Sequence, residues 1–302
     1  MPGSDIWTVK RVLDWTRDYL TRKGDEHPRL SAEWLLSNAT GLSRVEIYIN
    51  FDKPLTPDEL SRMHAGVERR AKGEPLQYVT GEMPFRHIVL ACNRGVLIPR
   101  PETEVLVDEA LVQLDRISAE GADPSERGGL LALEVGTGTG CIALSLASER
   151  PGTRVVATDI SPDAIALATR NRDALGLEGA VQIVECDLAS GVDEELFGCF
   201  DLLISNPPYI PTSVLPTIPG EVVDFEPRLA LDGGADGLDV FRRILATAPR
   251  VLRPGGALCV ELFEESLDAA ADLVREQGGW RSVDIVCDLT HRPRVLVCVK
   301  EA

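Results

Sequence analysis

The chain has 302 residues, is 44% hydrophobic and 26% charged, and carries 31 Lys+Arg against 48 Asp+Glu, a net charge of -17. That length accommodates two globular domains with their own cores, and the composition excludes fibrous and low-complexity classes. An acidic chain repels a phosphate backbone, so broad duplex binding is disfavoured, whereas a basic partner is compatible and only a local basic patch would hold nucleic acid.

The seven cysteines, at 92, 141, 186, 199, 259, 287 and 298, are odd in number and include no C-x-x-C pair. This argues against a disulfide framework or zinc site and for a reducing, cytoplasmic compartment. Met1–Lys10 has no long apolar run, so no signal peptide is expected, and no segment has the length of a membrane span. His27, His64 and His87 form no cluster, and no metal is assigned.

From Ser4 to Lys72 the spacing predicts helices. Ser4 is placed to cap the first, with Ile6, Val9, Val12, Leu13 and Leu20 on one face and Gly24 as its stop. Leu30, Trp34, Leu35 and Leu36 mark a second helix ended by Gly41, and Ser43–Ile49 gives a short third. Thr56 with Glu59 forms a capping-box pattern opening a fourth that ends near Gly73. Trp7, Trp15 and Trp34 read as core. A helical recognition domain is expected over 1–84, with a hairpin linker over 85–100. Its strands would be Ile88–Cys92 and Gly95–Ile98 around Asn93-Arg94-Gly95.

Residues 101–302 read as a second domain. Glu102-Thr103-Glu104 starts a helix through Leu114, with Arg100 and Glu102 open to an ion-pair, cap or ligand role. Ala119–Gly129 is a polar loop. Strands are expected at Leu130–Val135, Arg154–Thr158, Val181–Glu185, Asp201–Ser205, Ala257–Leu262, Val283–Asp288 and Val295–Lys300. Helices at Cys141–Glu149, Pro162–Leu175, Leu238–Val251 and Leu267–Gln277 alternate with them. Such alternation predicts an α/β, doubly wound, Rossmann-like parallel sheet with an antiparallel edge at its end.

Ligands of such sheets bind at the carboxyl ends of the strands. Glu134-Val135-Gly136-Thr137-Gly138-Thr139-Gly140 joins the first strand to its helix. Its glycines permit a sharp turn and close backbone approach, and the G-x-G-x-G spacing departs from the dinucleotide fingerprint. Glu134 beside the loop disfavours pyrophosphate and attracts an ammonium or sulfonium, which points to S-adenosylmethionine. Asp159, ending the second strand, is either the acceptor of ribose hydroxyls or a helix cap in competition with Ser161. Asp187 after the third strand is either an adenine acceptor, with Leu188 against the ring, or a loop acid.

Asn206-Pro207-Pro208-Tyr209 follows the fourth strand. Two prolines cannot continue a sheet, so the chain turns sharply with Asn206 at the corner. The Asn206 side-chain oxygen and the Pro207 carbonyl supply two acceptors for a planar NH2 group, and Tyr209 supplies a ring to pack on it. An ordinary proline-rich turn is the alternative.

Several stretches carry a family resemblance: Gly73-Glu74-Pro75-Leu76-Gln77-Tyr78, Leu97 to Glu104, the glycine loop, Ser205 to Ile210, Phe225-Glu226-Pro227 and Asp232 to Asp239. Together they resemble the class I S-adenosylmethionine-dependent methyltransferases and, more closely, the HemK/PrmC family of peptide chain release factor glutamine methyltransferases. The resemblance implies methyl transfer to the glutamine side-chain nitrogen of a Gly-Gly-Gln loop in a release factor, with S-adenosylhomocysteine as product. It implies Gly136, Thr137, Gly138, Thr139, Gly140, Asp159, Asp187, Leu188 and Asn206 around the cofactor. Asn206, Pro207, Pro208 and Tyr209 would contact the substrate, with Asn206, Pro207 and Tyr209 in the catalytic role. The expected partner is a release factor, with no membrane or direct nucleic acid contact and a monomeric enzyme. The rivals are a ribosomal-protein glutamine methyltransferase, a nucleic-acid amino-methyltransferase and a non-catalytic binding module. Glu261-Leu262-Phe263 and Asp288-Leu289-Thr290-His291 depart from the family pattern of Glu-Ile-Gly and Asp-x-x-Gly.

Overall fold

The computed structural model describes residues 6–120 and 129–302, so the expected Ser4 cap and most of the Ala119–Gly129 loop lie outside the described residues. The chain divides into two compact units, residues 1–82 with 219–225 and residues 83–218 with 226–302.

The first unit is helical: α1 (Val9–Arg22), α2 (Pro28–Thr40), α3 (Arg44–Ile49), α4 (Pro57–Arg70) and α5 (Leu76–Thr80). Thr8 caps α1, and Ser43 with Glu46 and Thr56 with Glu59 form reciprocal capping boxes. Gly41 takes the left-handed conformation at the end of α2. Val12, Leu20, Leu35, Leu36, Ile47, Met63 and Val67 interlock as the core. Three expected core residues are instead exposed: Ile6, Leu30 and Trp15. Trp15 stacks on Tyr19 at 5.1 Å along the outer face of α1, where ring-on-ring packing substitutes for burial. The segment Pro219–Phe225, containing the single-turn α9 (Gly220–Val223), returns to this unit, and Glu221 pairs with Arg70 at 3.0 Å.

The hairpin is shifted from its expected position. Its strands are β1 (Glu82–Phe85) and β2 (Ile88–Ala91), and Gly95–Ile98 forms no strand, with Gly95 in a turn at φ 96°. The turn is at Arg86, whose φ is 50° and whose guanidinium grips Glu149 in two bonds of 2.6 and 2.7 Å. Arg94 and Gly95 also turn, as Asn93-Arg94-Gly95 signals, but that turn follows β2 instead of joining two strands, and the hairpin turn is the one held by the ion pair to Glu149.

In the second unit, α6 (Thr103–Glu120) precedes β3 (Leu130–Val135), α7 (Cys141–Glu149), β4 (Thr153–Asp159), α8 (Pro162–Ala174), β5 (Val181–Glu185) and β6 (Phe200–Ser205). Then follow α10 (Asp239–Val251), β7 (Leu252–Glu261), α11 (Leu267–Gln277), β8 (Trp280–Cys287) and β9 (Pro293–Lys300). The seven strands run in the order β5-β4-β3-β6-β7-β9-β8. All neighbours through β7 are parallel, and β9 is antiparallel to both β7 and β8. The reversed strand is therefore interior rather than at the edge. Val295–Val299 is buried on both faces, which suits an interior strand, whereas β8 is part-exposed along its length. Two apolar layers cover the sheet, one including Leu106, Leu114, Ile142 and Leu144, the other including Phe241, Ile244, Leu267 and Val274.

The two departures from the family pattern behave differently. His291 stands at φ 62°, in the left-handed region that glycine occupies freely. The side-chain oxygen of Asp288 receives the backbone N–H of Thr290 and Arg292 and holds that turn. Phe263 has φ -63° and ψ 135°, so its side chain brings no backbone strain.

Candidate active site

The carboxyl ends of β3, β4, β5 and β6 open onto one cleft of about 210 Å³, lined among others by Gly136, Gly138, Asp159, Asp187, Leu188 and Asn206. Parallel strands bring these four corners together because each right-handed crossover returns the chain to the same edge.

The glycine loop folds back on β4. Gly136 and Thr137 both donate their backbone N–H to the Thr158 carbonyl, at 2.8 and 2.9 Å. Gly138 and Gly140 take φ of 56° and 86°, and a Cβ on Gly140 would meet Leu144 at 2.9 Å. Thr137 and Thr139 are almost fully buried, so this floor of the cleft is largely bare backbone.

Glu134 is not where its expected cation-attracting role would need it. It is fully buried beneath the loop, where one oxygen accepts from the Thr137 hydroxyl at 2.7 Å and the Ala143 N–H at 3.1 Å. Burial pushes its pKa up to about 8, so at neutral pH it is mostly the uncharged acid. It anchors the loop to the start of α7 and does not line the cleft.

Asp159 accepts the Gly138 N–H on one oxygen and the Ser161 N–H on the other, both at 2.9 Å. Ser161, not Asp159, caps α8 through the Ala164 N–H, so the acid is left at the mouth of the cleft. Burial raises its pKa and three backbone N–H groups oppose the shift. Asp187 is held by Arg243 from α10 at 2.6 Å, a cleft residue that sequence reasoning passed over because it sits inside a helical pattern. Leu188 is held at φ 52°, and such strain in a leucine is characteristic of a site that over-determines its geometry.

At the fourth corner, Asn206 and Pro208 line the cleft, whereas Pro207 is buried. Asn206 donates its side-chain N–H to the Thr103 hydroxyl at 3.0 Å, which leaves its carbonyl oxygen as the free end of the amide. Tyr209 turns away from the cleft, packs on the core beneath, and donates its hydroxyl to Glu261 at 3.2 Å. Burial and that neighbouring carboxylate drive the phenol pKa upward, so it remains protonated.

The glycine-rich Asp232–Asp239 stretch clamps this corner. Ile210 donates to the Leu231 carbonyl at 2.9 Å, and Gly233 donates back to the Ile210 carbonyl at 2.8 Å. A Cβ on Gly237 would lie 2.3 Å from the Tyr209 carbonyl oxygen, so no other residue fits without moving the corner.

Val96 to Arg100 forms another wall of the cleft. Arg100 pairs with the buried Glu226 at 2.5 Å, and Glu226 also receives the Ile98 N–H at 3.4 Å. Arg100 thus makes an ion pair within this unit and also lines the cleft, and the resemblance at Leu97–Glu104 and Phe225–Pro227 was the sequence signal for both partners.

A doubly wound sheet with a bare glycine loop, acids at the next two strand ends and an asparagine-proline corner at the fourth defines a class I S-adenosylmethionine-dependent methyltransferase. The residues fit that cofactor: Asp159, which accepts only backbone N–H groups, and Asp187, paired with Arg243, line the cleft beside glycine backbone. Comparison with known proteins agrees. The family described as PrmC N-terminal domain matches residues 11–81, and a methyltransferase domain family matches 127–288. A release factor glutamine methyltransferase from Geobacter sulfurreducens is 48% identical over 258 residues, 85% of each chain. One from Chlorobaculum tepidum is 39% identical over 100% of both. Among solved structures, the catalytic domain of hMettl16 superposes with a TM-score of 0.54 at 16% identity, covering 81% of this chain and 84% of that one, a likeness of fold alone. The chain belongs to the release factor glutamine methyltransferase family.

Among the described residues, no group of three or more His, Cys, Asp or Glu side chains is placed to hold a metal, and no helix is long and apolar enough to cross a membrane.

Proposed function

We infer that this protein transfers a methyl group from S-adenosylmethionine to the side-chain amide nitrogen of a glutamine in peptide chain release factors, within the Gly-Gly-Gln loop. The observation that carries this is the Asn206 amide, whose N–H is engaged by Thr103 so that its oxygen is the end left to accept from a substrate NH2. Its family supports the glutamine and the release factor.

An amide nitrogen is a weak nucleophile because its lone pair is delocalised. In this reading the Asn206 oxygen and the Pro207 carbonyl hold its two N–H groups and aim the nitrogen at the methyl carbon. Orientation of this kind is worth up to about 7–11 kcal/mol. The bound sulfonium supplies an already activated methyl group. Transfer would form the N–C bond as the C–S bond breaks, leaving the electron pair on sulfur and the amide proton to water. Asp159 would accept the ribose hydroxyls, and Asp187 with Leu188 would flank the adenine. Residues 1–84 recognise the protein substrate and 101–302 carry the transfer. The enzyme works as a cytoplasmic monomer, and its net charge of -17 supports the reading that it acts without nucleic acid.

The test is transfer of labelled methyl to a purified release factor, its Gln→Ala variant in the Gly-Gly-Gln loop, a ribosomal-protein mixture and DNA. Label on the wild-type factor alone is expected. Label on DNA or ribosomal protein, or on no substrate, overturns the reading.

A further inference from the structure

We propose that Glu261 is a positioning residue of the transfer reaction, which engages the hydroxyls of Thr103 and Tyr209 and, through Thr103, keeps the carbonyl oxygen of Asn206 as the end of the amide presented to the acceptor nitrogen. The proposal rests on the amide-methylation reading above.

Glu261 is the last residue of β7 and Asn206 follows the last residue of β6. Val260 pairs with Ser205, so the two residues stand side by side at adjacent strand ends. Glu261 is 1% exposed and does not line the cleft, so it acts through other groups rather than on substrate. One carboxylate oxygen receives the Tyr209 hydroxyl at 3.2 Å, and the Thr103 hydroxyl is near enough to the same carboxyl to draw its pKa down. Thr103, itself 2% exposed, accepts the Asn206 N–H at 3.0 Å. The second oxygen of Glu261 is buried with no hydrogen-bond partner among the described residues. A carboxyl in such a place costs stability, which makes a purely scaffolding role a poor account of it.

Donor and acceptor counting shows what the carboxylate does. A hydroxyl has one proton and two lone pairs. When Glu261 is ionised it can only accept, so the Thr103 proton is committed to it and Thr103 can only accept from Asn206. The asparagine then points its N–H groups at Thr103 and presents its oxygen at the free end. A protonated Glu261 can donate to Thr103 instead. That frees the Thr103 proton for the Asn206 oxygen and lets the amide rotate, which sets N–H against the N–H groups of the substrate.

The groups facing Glu261 are Tyr209 from the corner, Glu102 at the start of α6, Arg294 on β9 and Cys141 at the start of α7. Burial is the dominant influence, Glu102 adds to it and Arg294 opposes it, which leaves the Glu261 pKa at about 7. Turnover at saturating substrates should therefore rise with pH through about 7 in the wild type.

The experiment compares wild type with Glu261→Gln, Thr103→Val and Thr103→Ser. It measures kcat and release-factor KM from pH 5.5 to 9, S-adenosylhomocysteine affinity by calorimetry, and thermal unfolding. Glu261→Gln should lower kcat at least tenfold and abolish the rise near pH 7, with cofactor Kd and release-factor KM within twofold of wild type. Thr103→Val should lose kcat likewise, and Thr103→Ser, which restores the hydroxyl, should recover at least tenfold of that loss. A Glu261→Gln enzyme with kcat within twofold of wild type, or one that keeps the pH rise, overturns the proposal. So does a loss of kcat matched by equal losses of cofactor affinity and folding. No methyl transfer by the wild type would instead sink the assigned reaction, so the two failures are distinguishable.

Discussion

Asp159→Asn separates a cofactor ligand from a scaffold residue. In the wild type the two carboxylate oxygens accept from Gly138 and Ser161, both at 2.9 Å. Asparagine has one acceptor oxygen, so in either orientation its NH2 faces a backbone N–H. Losing a hydrogen bond to a charged acceptor costs about 1.5–3 kcal/mol. If that acid also receives the ribose hydroxyls, a second loss of the same size falls on binding, and the Kd for S-adenosylhomocysteine should rise roughly 10- to 150-fold. Stability should respond differently. Burial raises the Asp159 pKa in the folded state, so the folded protein binds more protons than the unfolded chain just above the ordinary carboxylate range. This group therefore subtracts stability as pH rises through that window, and the uncharged asparagine removes that effect. Titration calorimetry and differential scanning calorimetry at pH 7.5 read both quantities. We expect weaker binding with a Tm within a few degrees of wild type. A Kd within twofold of wild type would refute the ribose role. A large fall in Tm with a proportionate loss of binding would make Asp159 a loop anchor only.

Asn206→Ala should reduce turnover by about 10²-fold or more while leaving cofactor affinity within a few-fold, because it removes alignment rather than cofactor contacts; steady-state kinetics beside calorimetry check both. Gly237→Ala places a methyl 2.3 Å from the Tyr209 carbonyl oxygen at φ 80° and should cost at least about 2 kcal/mol in chemical denaturation, together with most of the activity. His291→Gly relieves a left-handed side-chain residue in an exposed turn and should raise the unfolding free energy by about 0.5 kcal/mol, with kcat unchanged.

Much of the site was legible because its parts are local. Gly136, Gly138 and Gly140 announce backbone that must take positive φ, and all three do. Asp159, Asp187 and Asn206 each follow a strand, and a parallel sheet brings its strand ends to one edge whatever the strand order. The double proline fixes the corner by removing two backbone donors. The strands themselves were plain from short apolar runs such as Leu130–Val135 and Val295–Lys300.

What only the tertiary structure decided is where long-range partners fall. Glu134 looked like a charge beside the ligand, but the loop folds over it and burial makes it a neutral anchor. Arg243 and Glu226 enter the site from positions 56 and 126 residues distant from their partners Asp187 and Arg100. The hairpin turn at Arg86 is held by Glu149, whereas the turn at Arg94-Gly95 joins no strands because Gly95–Ile98 finds no partner strand. Interior placement of β9 followed from which strand could be buried on both faces. The sequence by itself determined the backbone conformations and the residue types at the strand ends, since these depend on near neighbours. The pairing of Thr103 with Asn206 and of Tyr209 with Glu261 depends on which strands become adjacent, and only the assembled sheet fixes that.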